Sequence, residues 1–217
     1  DIAGVKMPQD SMIRLMKGPK GSKVKITVNR DGTLIPFDIV RDRIPVNCVD
    51  AAFMIDETTG YIKLSKFTRT TYQEFSEASE KLLEIGMKRL IFDLRDNTGG
   101  YFDQSWKLAN EFLERGDEVV YMEGRHRPRQ DFDADGRGRM KDIEISVLID
   151  EGTASSSEIF SGAIQDNDRG VIVGRRSFGK GLVQEPVNFT DGSGLRLTVS
   201  RLYTHSGRCI QKPNDQD

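Results

Sequence analysis

Two segments of the chain carry residues that could perform covalent chemistry together. A hydroxyl-rich run, TASSS at residues 153–157, stands where a strand gives way to a helix, and Lys180 stands between two glycines further along. A serine hydroxyl attacks a carbonyl only when a base removes its proton, and a lysine serves as that base when its amine is neutral. The pair offers a nucleophile and a base without histidine, of which the chain has only 2.

The same residues also have a structural interpretation, which chemistry alone leaves open. The three serines could simply cap a helix, and Lys180 could be a surface charge. Catalysis requires apolar surroundings for the lysine, because burial lowers the pKa of an amine. Three apolar side chains flank it in the sequence: Phe178, Leu182 and Val183. Ser155, Ser156 and Ser157 are rival nucleophiles, and the helix N-terminus beside them could stabilise an oxyanion.

The composition is typical of a soluble globular chain. Hydrophobic residues make up 36% of the 217 residues and charged residues 30%, and the net charge of −2 gives no general attraction to nucleic acid. No apolar run reaches the ~18 residues that a membrane helix needs. Cys48 and Cys209 form no CxxC motif, so we expect ordinary thiols. The abrupt start at Asp1 indicates an excised piece of a longer protein.

Alternating strands and helices after residue 60 predict an α/β layered core. The predicted strands cover residues 61–64, 90–94, 119–120, 143–149 and 171–173, with two more within 182–203. The predicted helices cover residues 71–86, 103–115 and 155–166. Thr71 with Glu74 predicts a capping box on the first of them, and Asp103 predicts a cap on the second.

Other stretches predict how this core is covered and connected. The apolar run at residues 90–94 predicts a sheet covered on both faces. Residues 44–60 and 124–142 predict connecting loops. Residues 1–43 predict a separate small module, with a helix at 9–16 and a hairpin that turns at Asp31-Gly32. The remaining residues, 44–217, then form the core.

Three long motifs resemble those of the C-terminal processing peptidases, the tail-specific protease family with a Ser/Lys dyad. Residues 93–100 (DLRDNTGG) resemble the family's DLRxNxGG, residues 152–166 (GTASSSEIFSGAIQD) its nucleophile block, and residues 173–184 (VGRRSFGKGLVQ) its base block. The resemblance covers roughly residues 60–204 and implies a crotonase-like protease core. Residues 14–24, with the hairpin after them, are similar to the back half of the family's PDZ domain.

The resemblance also implies the roles of individual residues. Ser155 is the implied nucleophile and Lys180 the implied base. Gln184 would orient the lysine through its side-chain amide. The N–H groups of Ser156 and of either Gly99 or Gly100 would form the oxyanion hole. Glu158 is expected to shape the helix start rather than take part in chemistry. No metal or cofactor is implied.

The implied activity is endoproteolysis near the C-terminus of protein substrates whose C-termini are apolar. The implied location is the bacterial periplasm or cell envelope, where the full-length protein could associate with a membrane. The front of the PDZ domain, which would hold a substrate's C-terminal carboxylate, is missing from residues 1–43. Nothing in the sequence indicates an oligomeric state or a nucleic-acid partner.

Two other classes of function use the same residues. A non-catalytic scaffold would bind peptides along the cleft and strand edges with an inactive dyad. A different acyl-transfer enzyme on a crotonase-like fold would act on a small thioester. The intact set of Ser155, Lys180 and Gln184 argues against both, and no basic site for a nucleotide carrier is evident.

Two further motifs favour plainer interpretations. Gly174 to Lys180 satisfies most of a phosphate-binding loop, but Gly181 replaces the required Ser or Thr and the following residues predict a strand. The acidic run Asp131, Asp133 and Asp135 has the spacing of a calcium loop but lacks flanking helices. We therefore expect a solvated loop there.

Overall fold

In the computed structural model, which describes residues 6–42 and 47–213, the chain forms two compact units, Asp1–Val46 and Asn47–Asp217. The domain boundary predicted after residue 43 falls outside the described residues. The PDZ interpretation of the first unit stays a prediction.

The described part of the first unit, residues 6–42, contains one helix and one hairpin: α1 (Gln9–Met16), β1 (Lys23–Arg30) and β2 (Thr33–Val40). The two strands are antiparallel, and φ is 51° at Asp31 and 84° at Gly32. Positive φ at both turn residues is what a two-residue type I′ hairpin requires, so the predicted turn is confirmed. No residue within 6–42 is buried, so this unit has no core of its own in the described structure.

The second unit is built around two β-sheets. Its strands are β3 (Val49–Met54), β4 (Thr59–Leu64), β5 (Arg89–Asp93), β6 (Glu118–Gly124), β7 (Arg127–Asp133), β8 (Glu144–Ile149), β9 (Gly170–Gly174), β10 (Leu182–Asn188) and β11 (Gly194–Tyr203). One sheet has the order β3-β4-β5-β8-β9 and the other β10-β11-β6-β7. Strands β4, β5, β8 and β9 are parallel, so their carboxyl ends lie at one edge.

Helices α2 (Thr71–Glu84) and α4 (Ser156–Asp166) pack on the five-stranded sheet, α3 (Phe102–Asn110) packs against α2, α4 and β6, and all three contribute to the core. Four buried aromatic rings meet at its centre: Phe75, Phe92, Phe112 and Phe160. Every residue of α4 from 156 to 164 is buried, so this helix is the central one. The mixed α/β fold predicted from the sequence is confirmed. Within the described residues no helix has the length and hydrophobicity to cross a bilayer.

The prediction that the sheet is covered on both faces is wrong for the described residues. The cross-strand register places Phe53, Tyr61 and Ile91 on one face, and the same face continues to Val171. Phe53 is 50% exposed and Val171 is 61% exposed. Because Ile91 is still half-buried on this open face, the apolar run at residues 90–94 cannot distinguish one covered face from two.

The N-caps predicted for α2 and α3 are also wrong. Thr70, rather than Thr71, is the N-cap of α2, and the Glu74 carboxylate accepts the Cys48 N–H at 2.7 Å. This contact with the start of β3 outcompetes a local capping box. Tyr101 is the N-cap of α3, and the Asp103 carboxylate instead accepts the Gln104 amide at 2.8 Å.

Three element assignments differ from the prediction as well. Helix α3 ends at residue 110 rather than 115. The two predicted connectors contain strands, because β3 pairs with β4 and β7 pairs with β6. Strand β7 reads RPRQDFD and lies at a sheet edge, where polar side chains face water, so its sequence has no apolar alternation.

Candidate active site

Apart from Gln184, which lies in β10, the predicted site residues lie on three loops that follow neighbouring parallel strands. We call residues 94–100 after β5 the glycine loop, residues 150–157 after β8 the serine turn, and residues 175–181 after β9 the lysine loop. The carboxyl ends of parallel strands meet at one edge of a sheet, which is where α/β folds place their ligand sites. The topology therefore brings the three motifs to one place.

Hydrogen bonds join the glycine loop to the serine turn. The Asn97 carbonyl accepts the Ala154 N–H at 2.9 Å and the Ser157 hydroxyl at 3.0 Å. The Gly100 carbonyl accepts the Ser156 hydroxyl at 3.0 Å. These contacts fix the distance between the backbone of one motif and the hydroxyls of the other.

The three serines of the turn have different environments. Ser156 is 1% exposed and Ser157 is 0% exposed, and both hydroxyls already donate to carbonyls of the glycine loop. Ser155 is half-buried and is the N-cap of α4. Its φ of 57° and ψ of −117° are strained for a residue with a side chain, and strain of this kind clusters at functional sites. Ser155 therefore has the most accessible hydroxyl of the three.

One buried carboxylate joins the serine turn to the lysine loop. Glu158 is 4% exposed, and its Oε2 accepts the Ser155 N–H and the Lys180 N–H, each at 2.8 Å. Its Oε1 accepts the Gly179 N–H at 2.6 Å. Because the nitrogens of Ser155 and Lys180 are both bound to one oxygen, they lie no further apart than twice 2.8 Å.

The surroundings of Lys180 differ from those predicted from the sequence. We expected an apolar shelter, but Lys180 is exposed and Phe178 is 60% exposed. Within the described residues the Lys180 amine has no hydrogen-bond partner, and the Gln184 amide donates to the Thr198 hydroxyl at 3.4 Å. The neighbouring hairpin of β10 and β11 extends into solvent with exposed apolar side chains, so it does not cover the amine.

The backbone N–H groups predicted for an oxyanion hole are not equivalent. The Gly99 N–H donates to Asn97 Oδ1 at 2.9 Å. The Gly100 and Ser156 N–H groups have no acceptor within the described residues. A Cβ atom on Gly99, whose φ is 90°, would lie 2.8 Å from the Ser156 nitrogen, so glycine permits this close approach.

An ion pair supports the start of the glycine loop. Asp93 is fully buried and accepts hydrogen bonds from Arg95 Nη2 and from the Tyr61 hydroxyl, both at 2.6 Å. Burial alone would raise the pKa of Asp93, but the bonds from Arg95 and Tyr61 lower it to about 2. The carboxylate therefore stays charged at neutral pH and orients Arg95.

Sequence reasoning underestimated Asn97 and Glu158. Asn97 is fully buried, and its amide donates to the Leu64 carbonyl at 2.8 Å while its Oδ1 accepts the Gly99 N–H. Asn97 stands two residues before Gly99 in the motif DLRDNTGG, and this position close to the glycines was a signal for its role. Glu158 does contact the helix start, as expected, but its bonds to the lysine loop depend on tertiary structure and left no local signal.

The acidic run does not form a loop. Asp131 and Asp133 lie in β7, and Asp131 accepts a hydrogen bond from Arg129 at 2.5 Å. Asp135 accepts the N–H of Arg137 at 2.9 Å. Across residues 6–42 and 47–213, no group of three His, Cys, Asp or Glu side chains is placed to hold a metal ion.

The site combines an accessible serine at a helix start, a lysine in the adjoining loop and backbone N–H groups without acceptors in the described residues. This combination is typical of enzymes with a serine nucleophile. The sequence matches Peptidase family S41 over residues 58–216. The chain belongs to this family.

Relatives and solved structures agree with this membership. A carboxyl-terminal-processing protease of Synechocystis is 35% identical over 94% of the chain, and a probable CtpA-like serine protease of Staphylococcus saprophyticus is 34% identical over 94%. The structure of a photosystem II D1 C-terminal processing protease superposes on 89% of the chain with a TM-score of 0.70 and 31% identity.

The chain spans only part of each of these proteins. It covers 48% of the Synechocystis relative, 41% of the Staphylococcus saprophyticus relative and 54% of the D1 processing protease chain.

Proposed function

We propose that the chain carries the catalytic site of a serine endopeptidase that cleaves protein substrates near their C-termini. The observation that supports this most is the hydrogen-bonded junction of the glycine loop, the serine turn and the lysine loop at one sheet edge. The parallel strands alone would bring the three loops to one edge, but they do not require the motif residues to bond to one another around Ser155, the most accessible of the three serines.

Ser155 is the proposed nucleophile and Lys180 the proposed base. The neutral Lys180 amine takes the proton of the Ser155 hydroxyl, whose oxygen attacks the scissile carbonyl carbon. The resulting ammonium group protonates the leaving amine and leaves an acyl-enzyme. Lys180 then takes a proton from water, the hydroxide attacks the ester, and Ser155 recovers its proton as the acid product leaves.

The Lys180 amine is exposed in this structure, so we assign its desolvation to the bound substrate. A peptide lying along the loops would exclude water from Lys180 and favour the neutral amine. Gln184 is the third residue of β10, which follows the loop, and its side chain would exchange Thr198 for the lysine in that state. This is the role proposed for its amide.

The proposed oxyanion hole uses the N–H groups of Ser156 and Gly100. Both lack an acceptor within the described residues, whereas the Gly99 N–H is bound by Asn97. Preorganised donors of this kind stabilise the negative oxygen of a tetrahedral intermediate. Gly99 then serves as a spacer rather than a donor.

The substrate class and location follow from the family and are proposals for the whole protein. We assign it protein substrates with apolar C-termini in the periplasm or cell envelope of a bacterium. Residues 1–43, as part of a PDZ domain, would belong to the substrate-binding apparatus.

The exposed Lys180 is the one observation that favours the alternative, a peptide-binding scaffold with an inactive dyad. Digestion of an unfolded protein with an apolar C-terminus, followed by mass spectrometry, separates the two functions. We expect the wild-type chain to cleave it, and Ser155→Ala and Lys180→Ala to be inactive but folded. Cleavage that persists in Ser155→Ala would refute the proposed function, and binding without cleavage by the wild type would support the scaffold.

A further inference from the structure

Glu158 has more bonds than a helix start needs. An acidic residue in the first turn stabilises a helix by accepting one N–H and by its charge. The Ser155 N–H supplies that single bond, at 2.8 Å. The bonds from Gly179 and Lys180 come from a different loop, more than twenty positions along the chain, and α4 does not require them.

Burial makes these bonds consequential. A carboxylate that is 4% exposed is stable only when its oxygens are satisfied, and bonds from N–H groups to a charged acceptor are stronger than neutral ones. The three N–H donors satisfy the carboxylate jointly. If the lysine loop moved away, the carboxylate would be left buried with part of its bonding unmet.

The lysine loop is held on its other side by the chain's last described segment. The Gly179 carbonyl accepts the Lys212 N–H at 2.9 Å, and the Gly181 N–H donates to the Gln211 side chain at 3.0 Å. The backbone on both sides of Lys180 is therefore fixed while its side chain is exposed. Of these contacts, those to Glu158 link the lysine loop to the proposed nucleophile.

We propose that Glu158 is a positioning residue that sets the distance between the backbones of Ser155 and Lys180. Its Oε2 binds both backbone nitrogens, so one atom joins the backbone of the nucleophile to that of the base, beside a second link in which the Phe178 N–H donates to the Thr153 carbonyl at 2.9 Å. Within the described residues the carboxylate binds backbone N–H groups and neither the Ser155 hydroxyl nor the Lys180 amine. This inference rests on the proposed function of the site.

The test compares Glu158→Gln and Glu158→Asp with Glu80→Gln. The amide can still accept hydrogen bonds, but its NH2 group faces backbone donors, while the shorter aspartate keeps a negative charge at the helix start and cannot reach the lysine loop. Glu80 is an exposed carboxylate on α2 that pairs with Arg139, so Glu80→Gln makes the same chemical change outside the three loops.

The first measurement is hydrogen exchange of individual amides, which needs no catalysis. We expect the amides of Gly179 and Lys180 to exchange at least about 10-fold faster in both Glu158 variants and at an unchanged rate in Glu80→Gln, with the amides of β5 and β8 protected throughout. Unchanged exchange at Gly179 and Lys180 in Glu158→Asp would overturn the proposal.

The second measurement is peptide cleavage. We expect kcat to fall on the order of 10- to 100-fold in Glu158→Gln and Glu158→Asp with KM unchanged, because a displacement of about 1 Å between reacting groups has such an effect. A rise in KM at constant kcat would show a role in substrate binding and overturn the proposal. An inactive wild-type chain would count against the proposed function, while the exchange data would still decide the role of Glu158.

Discussion

At the scale of single residues, the accessible hydroxyl and the free N–H groups result from what their neighbours already bind. The hydroxyls of Ser156 and Ser157 are held by carbonyls, and the Gly99 N–H is held by Asn97. What remains is Ser155 with the N–H groups of Ser156 and Gly100. The resemblance to a family selected Ser155, whereas the residue types alone did not, because three adjacent serines are chemically equal until their burial is known.

Gly99→Ala tests the close contact between the glycine loop and the serine turn. A Cβ atom there would lie 2.6 Å from the Ala154 carbonyl oxygen and 2.8 Å from the Ser155 Cβ. Gly116 is a matched control, since its φ is 91° against 90° and a Cβ atom on it meets nothing within 4 Å.

We expect Gly116→Ala to lower the free energy of unfolding by about 1 kcal/mol, the conformational cost alone. We expect Gly99→Ala to lower it by about 3 kcal/mol, because overpacking is added, and to abolish cleavage. Urea unfolding measures both. Equal losses in the two variants would show that the close contact does not constrain the site.

We expect Asp93 to contribute to the loss of stability of the fold in acid. Its pKa is lowered from 3.8 to about 2, so its ion pair stabilises the fold above pH 4 and that stability is lost as pH falls through the interval down to 2. We expect wild type to lose about 2 kcal/mol more than Asp93→Asn between pH 5 and pH 2.

Urea unfolding at a series of pH values measures this difference. Subtracting the Asp93→Asn curve removes the contribution of the other carboxylates. Parallel curves for the two proteins would contradict the assignment of the low pKa to Asp93.

At the scale of secondary-structure elements, the sequence was most informative where an element forms its own pattern. The hairpin turn at Asp31-Gly32 and the helix after Ser155 were predicted because turn residues and capping residues act locally. Strand β7 and the true partner of Glu74 were missed because both depend on contacts with distant residues. The exposure of Lys180 was missed for the same reason.

We expect the side chain of Arg169, which joins several segments of the chain, to contribute strongly to the free energy of unfolding. Its half-buried guanidinium donates to the Phe112 carbonyl, which follows α3. It also donates to three carbonyls just before β8, those of Met140, Lys141 and Ile143. We expect Arg169→Leu to lower the free energy of unfolding by about 3 kcal/mol, because it leaves those carbonyls without a donor.

Arg175→Leu is the control, since it removes an exposed pair with Glu151 and should cost under about 1 kcal/mol. Thermal and urea unfolding of the two variants would make the comparison. Similar losses in both would show that the carbonyls around Arg169 find water or other donors.

At the scale of the whole molecule, the two units differ in how much they bury. The second unit holds the whole described hydrophobic core, whereas no residue of 6–42 is buried. A hairpin and one short helix without a core are marginal in water. The family motifs all lie in the second unit.

We therefore expect residues 47–217 to fold alone, with a Tm within about 2 °C of that of the full chain. Calorimetry and near-ultraviolet circular dichroism of the shortened chain would measure this. A shortened chain without a cooperative transition would show that the first unit contributes to the stability of the second.

The most direct test of the Ser155–Lys180 assignment is covalent labelling by a serine-directed fluorophosphonate, with the modified residue mapped by mass spectrometry. The reagent is carried on a peptide, which excludes water from Lys180 as a substrate would, and it reads out nucleophile activation without peptide cleavage. The account predicts one adduct, on Ser155, formed rapidly by wild type and at least about 100-fold more slowly by Lys180→Ala. An adduct on Ser156 or Ser157, or labelling of Ser155 at the same rate without the lysine, would contradict it.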